Sequence, residues 1–323
     1  MAQARVALFG AAGYSGVELC KLLSLHPGVE LVCAASDARA GSPVAAFTGA
    51  ASPLAFVTTE AALATPCDLA LLAVPPEPAR TLAPALRAHG AKVVDLSSAF
   101  RADATAVYGL SSLFAGEVAA SALIANPGCY ATCVITALAP LVRYGLIERD
   151  VFVAAGSGVT GAGRTADETI SLGEMHANVR AYKVLRHQHV PEIEAALARV
   201  APAGGPRVIL TTHLLPVARG IFATLNVTLK AHVSSADLTA RFAADYADDP
   251  TVRVLPTPED VSLRKIVGTN ECHVGVASAD NVAVITAALD NLLKGAAGQA
   301  VENMNLVLGL PRTEGLRHLA RHG

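Results

Sequence analysis

Cys129 stands in the run Ile124–Thr132, I-A-N-P-G-C-Y-A-T, where a strand pattern ends, Pro127-Gly128 forces a turn and the cysteine opens a helix pattern. A thiol at the start of a helix lies near the positive end of the helix dipole, where the thiolate is favoured. An ordinary thiol with a pKa of ~8.5 is only a few per cent ionised at neutral pH, and a shift of ~2 units makes it mostly thiolate. The same position also suits a small buried residue, the usual fate of a free cysteine. Cys133, one helical turn further on among Val134, Ile135 and Leu138, reads as core.

A nucleophilic cysteine works with a partner that handles protons or developing charge. The segment R-H-Q-H-V-P-E-I supplies His187 and His189. Two histidines at i, i+2 could also be half of a metal site, but no further His, Asp or Glu pair at ligand spacing lies close by, so no metal is expected. His213, in T-T-H-L-L-P, is a second candidate, set in a strand pattern. The loop Ala155–Arg164, A-G-S-G-V-T-G-A-G-R, surrounds Ser157 and Thr160 with Gly156, Gly158, Gly161 and Gly163, which lets backbone approach a ligand closely. Arg164 and Arg219 are cations beside loop glycines, suited to a carboxylate or phosphate, although a lone surface Arg is more often simply solvated.

A second chemistry-bearing stretch opens the chain. Arg5–Phe9 is an apolar run followed by G-A-A-G-Y-S-G (Gly10, Gly13, Tyr14, Ser15, Gly16) and a helical pattern through Glu18, Leu19, Leu22 and Leu23. Strand, glycine turn and helix together present backbone N–H groups to a pyrophosphate. The next strand pattern, Val29–Ala35, ends in Ser36-Asp37-Ala38-Arg39. An acid there suits the ribose 2′-hydroxyl of NAD, and an arginine suits the 2′-phosphate of NADP. Ser36 with Arg39 favours NADP(H), because guanidinium can grip phosphate with two bonds.

The elements that must position these residues fall into two patterns. Near-continuous apolar runs at Arg5–Phe9, Val29–Ala35, Leu69–Val74 and Lys92–Leu96 alternate with helical stretches, which predicts a parallel sheet covered on both faces. After Cys129 the pattern changes. Ile221–Lys230 alternates residue by residue, and Val274–Ala277 with Val282–Thr286 flank a Ser-Ala-Asp-Asn turn, as antiparallel strands do. Leu292–Leu308 returns to helix, and Ala201–Pro206 is a surface loop. The expected fold is α/β: a Rossmann-type doubly wound parallel sheet plus an inserted α/β domain with a mainly antiparallel sheet. The first domain spans 1–128 and is completed by about 295–323, and 129–294 forms the second.

With 323 residues, 52% of them hydrophobic, the chain can bury a sizeable core. A net charge of −2 makes no electrostatic case for nucleic acid or an anionic membrane. No apolar run has the length and purity to span a bilayer, and the first residues lack a secretory pattern, so a cytoplasmic location is expected. Six cysteines are too sparse for a disulfide framework, and Cys129-x3-Cys133 has no companion pair at zinc-finger spacing.

With these residues in view, the chain resembles the N-acetyl-γ-glutamyl-phosphate reductase family, relatives of aspartate-semialdehyde dehydrogenase. The likeness runs nearly end to end. It rests on Gly10–Leu19 (G-A-A-G-Y-S-G-V-E-L), Val93–Arg101 (V-V-D-L-S-S-A-F-R), Tyr108–Leu110 (Y-G-L) and Asn126–Thr132 (N-P-G-C-Y-A-T). Gly156–Arg164, His187–Ile193, Leu214–Ile221, Val267–Asn270 and Asp290–Val301 continue it in the same order. The sequence departs from the family at Val74-Pro75-Pro76-Glu77, Ser111-Ser112 and Ala131.

The resemblance implies Cys129 as nucleophile and His187 as acid/base. It implies NADP(H) held by Gly10, Gly13, Tyr14, Ser15, Gly16, Ser36, Arg39 and Ser97, with Gly158, Gly161 and Gly163. Substrate contacts fall to Arg101, Asn126, Arg164, His189 and Arg219. The implied reaction forms a Cys129 thioester from an acyl phosphate, releases phosphate, and reduces the thioester to the semialdehyde. A homodimer or homotetramer is expected, with Ile221–Lys230 as an interface strand. Two rivals remain open. One is a sister enzyme for the aminoadipyl phosphate of lysine synthesis, since one methylene is worth only ~1–3 kcal/mol in a pocket. The other is a non-catalytic dinucleotide-binding regulator, against which the intact Cys129 and His187 argue.

Overall fold

The computed structural model describes residues 3–164 and 168–319. Residues 1, 2 and 320–323, at the ends of the first expected domain, lie outside them. The chain divides into two compact units, one of Met1–Gly128 with Ala296–Gly323 and one of Cys129–Gly295.

The first unit holds seven strands: β1 (Ala4–Phe9), β2 (Val29–Ala35), β3 (Phe56–Val57), β4 (Leu69–Leu72), β5 (Lys92–Asp95), β6 (Val107–Tyr108) and β7 (Leu123–Ala125). All pair in parallel, in the order β3-β2-β1-β4-β5-β7-β6. β4 is buried along its whole length, as a strand covered on both faces must be. The order reverses at β1, and ligands of open α/β sheets bind beyond the strand ends at such a point. Pro75 and Pro76 begin the helix Pro76–Ala88. Proline at the first helical position gives up an N–H that would have no partner there, so the Val74–Glu77 departure leaves the fold intact.

The C-terminal helix Gly298–Leu308 completes this unit through a buried polar seam. Asn303 donates to the Gly109 carbonyl at 2.8 Å and to Asn126 Oδ1 at 2.9 Å, and Gln299 donates to Gly109 at 3.1 Å. A Cβ on Gly109 would stand 2.4 Å from Asn303 Nδ2, so the Y-G-L motif needs its glycine for this approach.

The second unit carries β8 (Ile147–Ser157), β9 (Arg180–Tyr182), β10 (Arg207–Leu214), β11 (Ile221–Leu229), β12 (Val252–Val254), β13 (Cys272–Ala279) and β14 (Val282–Leu289). Their order is β12-β13-β14-β11-β8-β10-β9, with β12–β13 and β8–β10 parallel and the remaining pairs antiparallel. The alternation read in Ile221–Lys230 is present: Ile221, Ala223, Leu225, Val227 and Leu229 are buried, and the residues between them are exposed or half-buried. The helix Cys129–Arg143 packs on β8, β11, β13 and β14, and every residue from Tyr130 to Val142 is buried. A helix apolar on all sides is one enclosed by its own fold. Among the described residues no helix is long and apolar enough to cross a membrane.

Candidate active site

In the first unit, two glycines of the β1 turn leave no room for a side chain. Gly10 has φ +77°, and a Cβ there would meet the Ala73 carbonyl oxygen at 2.2 Å. A Cβ on Gly16 would sit 2.2 Å from the Gly10 carbonyl oxygen, so the helix Tyr14–Ser24 could not start where it does. Gly13 precedes that helix with no side-chain cap, and the first turn of any helix offers N–H groups without intrahelical partners. A strand–turn–helix of this kind offers N–H groups suited to a pyrophosphate.

At the end of β2, both carboxylate oxygens of Asp37 are engaged, one by the Thr59 N–H and one by its hydroxyl, each at 2.8 Å. The Thr59 N–H, with the hydroxyl second, holds Asp37 below the usual carboxylate range. The Arg39 guanidinium lies 3.6 Å over the Phe47 ring. The acid is thus oriented by Thr59 while still exposed, and the arginine is braced on an aromatic face.

Three residues named from the sequence also brace the scaffold. The Ser97 hydroxyl donates to Asp95 at 2.7 Å and accepts the Ala99 N–H at 3.0 Å. Arg101 donates to the Asn126 carbonyl and to the Leu96 carbonyl, both at 3.0 Å, tying the ends of β5 and β7 together. Asn126 is 1% exposed, and its amide is consumed by Asn303 and the Ala296 carbonyl. Its work is to hold the turn that delivers the chain to Pro127-Gly128.

In the second unit, Cys129 begins the helix Cys129–Arg143 and is half-buried. Tyr130 and Tyr182 both lie within electrostatic reach of its sulfur, and both pack edge-on against His187, at ring-centroid distances of 5.2 and 5.9 Å. His189 packs on the same ring at 4.8 Å. Cysteine, both histidines and the two tyrosines therefore share one neighbourhood. The Tyr182 hydroxyl donates to Tyr130 at 3.1 Å, and Tyr130 donates to the His213 carbonyl at 3.4 Å. His213 thus contributes its backbone here. Burial pushes the Tyr182 phenol up to about 12 and drives Tyr130 upward as well.

His187 is almost wholly enclosed, with Nδ1 accepting the His189 N–H at 3.2 Å. Burial, reinforced by the positive charge of Lys183, lowers its pKa to about 4, so the ring is neutral at pH 7. Cys133 lies in the core, where a hydrogen bond with Cys272 and burial hold its thiol well above the ordinary value.

The glycine loop after β8 owes its glycines to packing. A Cβ on Gly158 would stand 2.7 Å from the backbone of Ala218 and Arg219, and one on Gly161 would be 2.6 Å from Ser157 Oγ. Val159, Thr160 and Gly158 donate their N–H groups to Val217, Ala218 and Gly220. Gly163, with φ +87°, faces open space, and Arg164 beyond it is exposed. Arg219 pairs with Asp290, its Nε at 3.3 Å and Nη2 at 3.1 Å from Oδ1.

The sequence reading gave no role to Tyr182, nor to Asp290 and Gly295 within the Asp290–Val301 block. A Cβ on Gly295 would approach Cys129 Cβ to 2.9 Å, although 166 positions of sequence numbering separate the two residues, from 129 to 295. Tyr182 belongs to a strand of three residues, too short to show periodicity. Asp290 did leave a signal, an acid at the end of an apolar strand.

Residues 5–121 match the semialdehyde dehydrogenase NAD-binding domain, and residues 129–291 match the semialdehyde dehydrogenase dimerisation domain. The chain is 40% identical over 333 residues to N-acetyl-gamma-glutamyl-phosphate reductase of Chlorobaculum tepidum, covering 96% of each chain. The chain belongs to the N-acetyl-γ-glutamyl-phosphate reductase family. A second member of this reductase family, from Geobacillus stearothermophilus, is 38% identical, over 97% of this chain and 98% of its own. Two solved structures share the fold. Aspartate semialdehyde dehydrogenase II of Vibrio cholerae gives a TM-score of 0.76 at 18% identity, covering 96% of this chain and 99% of its own. Aspartate semialdehyde dehydrogenase of Candida albicans, solved with NADP, gives 0.69 at 16% identity over 95% and 99%.

Proposed function

We propose that this chain reduces N-acetyl-γ-glutamyl phosphate to N-acetylglutamate semialdehyde and phosphate, using NADPH and a thioester on Cys129. The observation that carries the reading is similarity at 40% identity along 96% of both chains to a reductase of that name. The neighbourhood of Cys129, His187, His189, Tyr130 and Tyr182 supports it with a nucleophile at a helix N-terminus.

Gly10, Gly13, Tyr14, Ser15 and Gly16 hold the pyrophosphate, and Ser36 with Arg39 receives the 2′-phosphate. Arg39 at the end of β2, braced over the Phe47 ring, favours NADP over NAD, because a guanidinium can grip the 2′-phosphate. When bound, the nicotinamide supplies hydride. Cys129 displaces phosphate and carries the acyl group, which splits one difficult step into two easier ones. Arg101 and Asn126 hold the turn ahead of the nucleophile. Arg164, Arg219 and His189 face the anionic substrate. The protein assembles as a homodimer or homotetramer through the open face of the second sheet, where Phe152 and Val282 are exposed.

The test is phosphate-dependent reduction of NADP⁺ by N-acetylglutamate semialdehyde, beside the homologue one methylene longer and the Cys129→Ser variant. Turnover that prefers the shorter aldehyde and is lost in the variant supports the reading. Preference for the longer aldehyde moves the protein to the aminoadipyl branch, and no turnover with either sinks it.

A further inference from the structure

We propose that Lys294 is a positioning residue for Cys129, and that its buried ammonium closes a ring of contacts that fixes where the sulfur stands. The inference rests on the reading of Cys129 as the thioester nucleophile, and every group in the ring belongs to the second unit.

Lys294 has no exposed surface, and among the described residues no other lysine or arginine is buried. Taking an ammonium out of water is costly, and a well-packed apolar side chain of similar volume often serves stability as well or better. A charge kept in such a place needs a reason beyond stability. The Lys294 ammonium donates to Thr251 Oγ1 at 2.8 Å. The Thr251 hydroxyl donates in turn to Asp249 Oδ1 at 2.8 Å, and the Thr251 N–H reaches the same oxygen at 2.8 Å. An ammonium can only donate and a hydroxyl has one hydrogen, so the direction of this relay has a single assignment. The tip of the lysine is held by a partner that is itself held.

From that anchor the contacts run to the cysteine in two directions. In one, the Thr251 carbonyl accepts the Cys272 N–H at 2.8 Å. Cys272 shares a hydrogen bond with Cys133, one turn beyond Cys129 on the same helix. In the other, Lys294 is followed directly by Gly295, where a Cβ would sit 2.9 Å from Cys129 Cβ. Asp290 winds the backbone there. Its Oδ1 accepts the Leu292 and Leu293 N–H groups, and its carbonyl accepts that of Gly295 at 2.9 Å. The chain goes on as the π-helical turn Leu293–Ala297, a wide winding that is frequent at functional sites. Asp290 ties the start of this turn, and Lys294 ties its middle to Thr251. Without the ammonium that second tie is gone, and Gly295 can back away from Cys129. The reaction feels such a movement, because a nucleophile must stand within about 3–3.5 Å of the carbon it attacks, with orbitals aligned.

The test compares Lys294→Met, which keeps the apolar stem and removes the ammonium, with Thr251→Val and Thr251→Ser. Valine keeps the volume of threonine without the hydroxyl, and serine keeps the hydroxyl without the methyl. With N-acetylglutamate semialdehyde, NADP⁺ and phosphate, kcat should fall by about 10–10² in Lys294→Met and Thr251→Val, with KM within about threefold of the parent. Thr251→Ser should hold kcat within about threefold, although the lost methyl lowers its urea midpoint. A merely structural role would instead make kcat follow the urea midpoint. In crystals without substrate, the Cys129 sulfur of Lys294→Met should stand more than about 0.5 Å from its place in the parent. Parental kcat in Lys294→Met, an unmoved sulfur, or a loss in Thr251→Ser as large as in Thr251→Val overturns the proposal. Should Lys294→Met fail to fold, the threonine pair decides the same question. No turnover in the parent would count against the substrate or Cys129 as nucleophile, and the crystals would still decide what holds the sulfur.

Discussion

Gly295→Ala is the substitution by which the structure most directly predicts a functional loss. The added Cβ would be placed 2.9 Å from Cys129 Cβ, 3.1 Å from Leu289 Cδ1 and 3.3 Å from the Asp290 carbonyl oxygen. Carbon atoms in contact settle at about 3.5–4.0 Å, so Cys129 or the Leu293–Ala297 turn must yield by roughly 0.6–1 Å. A misplacement of that order can cost ~10²-fold in rate. Stability moves less, because overpacking costs about 1–3 kcal/mol while alanine recovers roughly 0.5–1 kcal/mol of backbone entropy. We therefore expect kcat and the rate of Cys129 alkylation to fall by about 10–10², with the urea midpoint lowered only slightly. Gly116→Ala is the control: its Cβ meets nothing within 4 Å inside the helix Ser111–Ala119. It should leave kcat unchanged. A Gly295→Ala enzyme with parental kcat and alkylation rate would refute the claim that Gly295 sets the position of the sulfur.

Asp290 is fully buried and accepts from Arg219, Gly268, Leu292 and Leu293, so Asp290→Asn should destabilise the protein by about 3 kcal/mol in urea unfolding. Arg39→Ala should raise KM for NADP⁺ by about tenfold or more while leaving KM for NAD⁺ nearly unchanged; equal effects on both would refute its role at the 2′-phosphate. His187 titrates near 4 folded and near 6.5 unfolded, so the unfolded chain binds more protons between these values. Its contribution to stability is complete above about pH 6.5 and is lost as pH falls toward 4. His26 is lowered by burial too, so Tm against pH should be compared between the parent and His187→Gln, which should show the shallower acid slope.

The local parts of this protein were legible in its sequence because they rest on short-range rules. Gly10, Gly13 and Gly16 mark a strand–turn–helix by spacing alone, and the apolar runs of β1, β2, β4 and β5 declare a parallel sheet because such strands are buried on both faces. Pro127-Gly128 announces the turn before Cys129, and the alternation of β11 announces a strand with two unlike faces. Residue identity also pointed to Cys129, His187 and Arg39 as chemical groups.

Tertiary structure decided which of those groups have capacity to spare. Asp37 and Arg39 stood on equal terms in the sequence, and only the fold shows Thr59, 22 residues on, orienting the acid and the Phe47 ring bracing the arginine. In the fold, Arg101 donates to the Asn126 and Leu96 carbonyls, while the Asn126 side chain accepts from Asn303 of the C-terminal helix and donates to the Ala296 carbonyl. The tautomer of His187 depends on one N–H, and its neutrality on a cage of rings drawn from separate segments. Gly295 meets Cys129 across most of the second unit's length. A residue's type states what it could do, and spacing states its local backbone. Whether a polar atom is still free to act depends on partners that only chain folding brings within about 3 Å.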